Sequence, residues 1–197
     1  TDARARWCPM PVPLRPKAVK KYQGQLLQVY QYEQTLYDGS TAVFEVAVRP
    51  DTASVLAFID ADTILITRQE QPQKAEPFWA LPGGRVDERE TATAAAAREL
   101  VEETGLVAAQ QEHWHTKSWN GLVAYQEHVF VAKGLSPAPQ GAHPDPGERI
   151  QVVDMPWREL VQLCLKQQLR GSSLVNLVLA MEFDADTKKH LNTFLHA

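Results

Sequence analysis

The chain predicts a mixed α/β fold, and three observations carry the prediction. β-rich runs alternate with helix-forming runs instead of segregating into separate halves. Two pairs of β-rich runs meet across short turn-forming segments. One run of strong helix formers, "TAAAAREL", ends at Gly105, a residue suited to the left-handed position just past a helix. With 197 residues, 44% of them hydrophobic, the chain is long enough to bury one sizeable core.

The elements follow in order. Residues 1–20 hold four prolines and several basic residues without a period, and are expected to form an extended arm. Residues 21–50 contain "QLLQVYQYEQTLY" and "TAVFEVAVR" about Asp38-Gly39-Ser40, a hairpin with a polar face. "ASVLAFID" and "TILITRQE" form a second pair across Ala61-Asp62. "WALP" and "GRV" are short extended pieces on either side of the Gly83-Gly84 pair. A helix is expected from Thr91 to Thr104. Two strands then flank Asn120-Gly121, and the Pro/Gly-rich "SPAPQGAHPDPGE" makes a loop long enough to suggest function. "RIQVVDM" is a strand and "PWRELVQLCLKQQL" a helix with proline in its first turn. "SSLVNLVLAMEF" and "ADTKKHLNTFLH" are two further helices at the end.

A net charge of −4 disfavours a nucleic-acid polymer as partner, which calls for a basic surface. No apolar run is long enough to span a bilayer. The two cysteines, Cys8 and Cys164, lack the spacing of a disulfide framework or zinc site, which fits a reducing, cytoplasmic setting.

The chemistry concentrates in "LPGGRVDERETATAAAARELVEETGL". On a helical wheel, Glu99, Glu102 and Glu103 share an arc of about 100°. Ala94, Ala97, Leu100 and Val101 form an apolar stripe apart from it, expected to pack on the sheet. Like charges at this spacing repel, and no cation shares their arc. A divalent ion with a preference for oxygen ligands would turn that repulsion into binding. A plain solvated helix face is the alternative.

The spacing from Gly84 through Glu90 to Arg98, Glu99, Leu100, Glu102, Glu103, Gly105 and Leu106 resembles the Nudix hydrolase box, with every fixed position filled. The resemblance implies a Nudix-type α/β/α sandwich of mixed sheet over residues 51–197, with an N-terminal β-hairpin and extra C-terminal helices. It implies cleavage of a nucleoside diphosphate linked to another moiety, with Mg²⁺, or Mn²⁺, as cofactor. By the same resemblance the Gly83 carbonyl and Glu99, Glu102 and Glu103 hold metal, Glu90 and Arg98 form a structural ion pair, and Gly84 and Gly105 shape the backbone. The catalytic base is Glu99 on the helix or Glu148 in "DPGERI", with Asp145 as a stand-in. Outside the box, residues 24–73 resemble the branch acting on ADP-ribose and nucleoside-diphosphate sugars, which implies a homodimer exchanging N-terminal strands. Trp79-Ala80-Leu81-Pro82 is closer to the triphosphate-cleaving branch, so that activity stands as the alternative, beside a binding domain without catalysis. Trp79, Trp119 and Tyr125 are candidates for stacking on a base, and Arg68 for touching a phosphate. His113 and His115 are a weaker candidate for a transition-metal pair.

Overall fold

The computed structural model describes residues 17–197. Most of the expected N-terminal arm, with Cys8, therefore lies outside the described residues. The strands are β1 (Val19–Gln23), β2 (Gln28–Thr35), β3 (Thr41–Val48), β4 (Thr52–Phe58), β5 (Thr63–Glu70), β6 (Phe78–Ala80), β7 (Gly83–Arg85), β8 (Leu106–Asn120), β9 (Val123–Pro137) and β10 (Arg149–Pro156). The helices are α1 (Ala92–Thr104), α2 (Trp157–Leu165), α3 (Ser172–Phe183) and α4 (Ala185–His196).

All the strands join one mixed sheet whose main path runs β1-β2-β3-β9-β4-β5-β10. β9 lies parallel to both β3 and β4, while the local hairpins are antiparallel. The expected β2–β3 hairpin forms with Tyr32 opposite Phe44. It gains a third strand, because Val19–Gln23, at the end of the expected arm and just beyond it, pairs onto β2.

Helices cover both faces, which makes the three layers. On one side Ala95, Ala96 and Leu100 of α1 pack on Ala53, Val55, Ala57, Leu65, Phe130 and Ala132. On the other, Leu160, Leu174, Val178, Met181, Leu191 and Phe194 of the C-terminal helices pack on Leu56, Phe58, Ile64, Ile66, Val129 and Val131. Alternate residues of β4, β5 and β9 thus feed opposite cores, as a strand buried on both faces requires. The C-terminal helices begin and end where expected. α2 is the exception. It stops at Leu165, the backbone turns through a positive φ at Gln167, and Leu169 bridges to Trp79. Pairing beside β6 replaces the last helical turn.

One irregularity creates the space for a site. β4 and β5 pair only at Ala57–Leu65 and Phe58–Ile64. Beyond that point they part, β7 adding to β4 and β6 to β5. The cleft between them is where the box residues converge.

Candidate active site

α1 is placed by local chemistry. Thr91 Oγ1 accepts from the Ala94 N–H at 3.1 Å, satisfying a free donor of the first turn. Gly105 closes the helix at φ 72°, its N–H bonded to the Val101 carbonyl. A Cβ at Gly105 would meet the Ala142 nitrogen at 2.8 Å, so the residue also lets the 138–148 loop approach.

The helix faces differ from the wheel expectation. Ala94 and Ala97 are exposed, and the buried stripe is Ala95, Ala96, Leu100, Val101 and Glu103. Glu103, only 5% exposed, lies on the core face. A run of alanines carries little directional signal, so the side that packs is decided by what the sheet offers. Here it offers two donors. Gln69 Nε2 bonds Glu103 Oε1 at 3.0 Å, and the Gly83 N–H bonds Oε2 at 3.1 Å.

Glu99 and Glu102 are also paired, against the expectation that no cation shares their arc. Arg98 Nη1 donates to Glu99 Oε1 at 2.9 Å and to Glu102 Oε2 at 2.7 Å. Its Nη2 donates to Glu90 Oε1 at 2.7 Å and to the Arg85 carbonyl at 2.9 Å, and its Nε to Glu90 Oε2. A long side chain bends across the angle that a wheel counts as separation. Glu90 also accepts from the Asp87 N–H at 2.8 Å, which folds the entry loop back onto the helix.

These surroundings set the charges. Burial pushes the Glu103 carboxyl up to about 8, and the Glu99 and Glu148 charges add to that rise, while the Gly83 and Gln69 donors oppose it. Burial likewise raises Glu99 to about 7, with Arg98 opposing and Glu102 and Glu148 adding. Burial alone would raise Glu90 as well, but the Arg98 and Asp87 hydrogen bonds and the Arg98 charge hold it below its usual value.

The glycine pair works by close approach, not as a turn, since both residues sit in β7. A Cβ on Gly83 would overlap the Ala53 carbonyl oxygen and come within 2.7 Å of Ser54 Cα. A Cβ on Gly84 would overlap the Glu99 carboxylate.

One cavity of about 560 Å³ gathers Gly83, Gly84, Glu99, Glu102, Glu103, Asp145 and Glu148. Glu148 comes from the 138–148 loop, its N–H bonded to the Asp145 carbonyl at 2.9 Å, and Gln71 Nε2 holds its Oε1 at 2.8 Å. Tyr125 also lines the cavity, with Arg49 stacked 4.7 Å above its ring. Other candidates fall elsewhere. Trp79 packs against the core beneath Arg68, whose guanidinium lies 5.7 Å from its ring, and neither lines the cavity. Trp119 stacks on Tyr125 and donates to Glu127 at 3.2 Å, one layer behind the wall. His113 and His115 are separated by a bulge in β8, and His113 bonds Thr116 instead.

Sequence reading missed Gln69, Gln71, Arg49, Arg170 and Glu127, all in the cavity wall. For Glu127 a signal existed. It alternates with Val129 and Val131, so a carboxylate sits on the apolar face of its strand.

Among the described residues, no three acidic, histidine or cysteine side chains converge as a ready cation cage. The donor chemistry nevertheless fits a hard divalent ion. The Glu148 charge raises the pKa values of both Glu99 and Glu103, and the Glu99 charge adds to that of Glu103, a repulsion that a cation between them would relieve.

Known proteins share sequence and fold with this chain. The NUDIX domain model matches residues 48–174. The ADP-ribose pyrophosphatase of Bacillus subtilis (strain 168) is 26% identical over 156 residues, 76% of this chain and 83% of that protein. The methanol dehydrogenase activator of Bacillus methanolicus is 24% identical over 160 residues, 81% and 86% of the two chains. The crystal structure of an ADP compounds hydrolase shares the fold, with a TM-score of 0.71 at 19% identity, over 90% of this chain and 95% of that one. The chain belongs to the NUDIX domain family, as a pyrophosphohydrolase of the α/β/α sandwich type. Within that family it resembles, among others, an ADP-ribose pyrophosphatase. No helix of the described residues is long and apolar enough to cross a membrane.

Proposed function

We propose that this enzyme hydrolyses the pyrophosphate bond of a nucleoside diphosphate joined to a second moiety, of the ADP-ribose or nucleoside-diphosphate-sugar type, with Mg²⁺ as cofactor and Mn²⁺ able to replace it. The observation that carries the reading is the meeting of the α1 carboxylates and the loop carboxylate Glu148 in one cavity. Glu99, Glu102 and Glu103, with the Gly83 backbone, would hold the metal, which supplies charge neutralisation and a water of lowered pKa.

The chain's own residues do the rest. Glu148 takes the proton of the attacking water, and Gln71 fixes one of its oxygens so that the other faces the substrate. Water adds to phosphorus as the bridging P–O bond breaks, and the departing phosphate keeps the bridging oxygen. Gln69 and the Gly83 N–H orient Glu103, and Arg98 orients Glu99 and Glu102.

The reading includes a homodimer. Its support is the β1–β3 sheet, where Val19, Tyr22, Val43 and Phe44 stay 41–63% exposed. Sedimentation of wild type beside Val43→Asp tests it, since a charge there should shift the species toward monomer.

A substrate panel tests the activity: ADP-ribose, nucleoside-diphosphate sugars, dinucleotides and triphosphates, each with and without Mg²⁺. AMP and ribose phosphate from ADP-ribose support the reading. Release of pyrophosphate from triphosphates would replace it with the triphosphate alternative, and ligand binding without any turnover with a regulatory one. Glu148→Gln should lower the rate by about 10²–10⁴. If Glu99→Gln does so and Glu148→Gln does not, the base is on the helix.

A further inference from the structure

The far end of the cavity holds a buried carboxylate with no role so far. Glu127 on β9 is 8% exposed and lines the cavity wall. Its Oε2 accepts from both Trp119 Nε1 and Ser173 Oγ. Its Oε1 accepts from no protein donor among the described residues, yet is not among the buried atoms left without a partner. That oxygen therefore opens on the cavity.

The backbone above it is kept clear. Gly171 adopts φ 100°, and a Cβ there would stand 3.5 Å from Glu127 Oε1 and 3.0 Å from Leu174 Cδ1. Arg170, beside it, lines the same wall, with its guanidinium 4.9 Å from the Phe78 ring. A desolvated acceptor, locked on one side and open on the other, is a recognition group for a donor.

We propose that this end of the cavity, lined by Glu127 and Gly171 with Ser173 holding the Glu127 carboxylate from behind, binds a sugar whose hydroxyl donates to Glu127 Oε1. The inference rests on the diphosphate reading above and names the next group along the substrate. Register gives the spacing. Thr52 of β4 stands opposite Glu127, and Ser54 stands opposite Gly83. Glu127 and Gly83 are thus two strand spacings and two residues apart, roughly 12 Å between Cα atoms. Part of that span is the Glu127 side chain itself. What is left matches a sugar esterified to the diphosphate and stops short of a base beyond it.

Glu127→Gln isolates the effect. The amide oxygen takes the place of Oε2, still accepting from Trp119 and Ser173, so the NH₂ replaces Oε1. The shape is retained while the free acceptor becomes a donor. Calorimetry with ribose 5-phosphate, AMP and the dideoxyribose analogue of AMP, all in Mg²⁺, reads binding without turnover. This separates failure here from failure of the activity panel.

The expected result is at least a tenfold loss of ribose 5-phosphate affinity with the thermal midpoint unchanged, which places the second sugar at Glu127. Loss for AMP but not for its dideoxyribose analogue places the nucleoside ribose there instead, and also supports the proposal. Equal loss for AMP and the analogue would point to the base and overturn it. So would unchanged binding of all three, or a wild type that binds none of them at millimolar concentration. Ser173→Ala keeps the carboxylate but frees it to swing, and should weaken the same ligand by a smaller factor. If Glu127→Gln fails to fold, an unaltered Ser173→Ala overturns the proposal.

Discussion

Glu103 makes the metal-free protein less stable as pH rises. Its carboxyl, ordinarily at 4.5, sits at about 8 in the folded chain, chiefly through burial. Between those values the folded state holds a proton that the unfolded state has released. Stability then falls with rising pH, because the slope follows the protons bound unfolded minus those bound folded. The contribution is complete below the unfolded value near 4.5 and lost as pH climbs through about 8. Its upper size is on the order of 5 kcal/mol for Glu103. Glu99, raised to about 7, acts in the same direction, but the two share their mutual repulsion and do not add in full. For a chain of this length each kcal/mol moves the thermal midpoint by about 2–4 °C. Unfolding followed by circular dichroism from pH 5 to 8.5 in EDTA should show a drop of several degrees. Glu103→Gln should flatten much of the slope, and Mg²⁺ should oppose it by favouring the ionised carboxylates. A profile identical in wild type and Glu103→Gln would refute the reasoning.

Gly84→Ala should leave the thermal midpoint nearly unchanged, because the atoms nearest the added Cβ all belong to the carboxyl end of the Glu99 side chain and none to backbone. Mn²⁺ affinity, read by electron paramagnetic resonance, should fall at least tenfold; unchanged affinity would remove Glu99 from the metal site. Arg98→Lys loses the planar fork that reaches Glu90, Glu99, Glu102 and the Arg85 carbonyl together. It should cost about 1–3 kcal/mol by chemical denaturation, and a neutral result would show that the entry loop does not depend on it. Gln71→Leu removes the donor on Glu148 Oε1 and should lower kcat more than it raises KM, with partial recovery in Gln71→Asn. Equal changes in kcat and in stability would assign Gln71 a structural role only.

The elements were legible where local signals agreed. Thr91 and Gly105 bound α1 by their capping chemistry, and α3 and α4 match "SSLVNLVLAMEF" and "ADTKKHLNTFLH" residue for residue. The α2 terminus was not legible, because Leu169 leaves the helix to pair with Trp79, a partner 90 positions away. The burial of Glu103 was hidden for the same reason. Its donors, Gln69 and Gly83, arrive from β5 and β7 and leave no trace in the helix.

The order of residues in the box determines which carboxylates one helical turn can present, since 3.6 residues per turn is a local property. It also determines that Gly84 and Gly105 leave room where a Cβ would collide. Tertiary structure alone decided that Glu148 and Glu127 face that turn across a cleft where β4 and β5 separate. It also decided that the tryptophans Trp79 and Trp119 stand behind the wall and not in it. The reason is physical: a side chain's role at a site depends on which strands lie beside it. Strand neighbours are set by how apolar faces close on one core, not by distance along the chain.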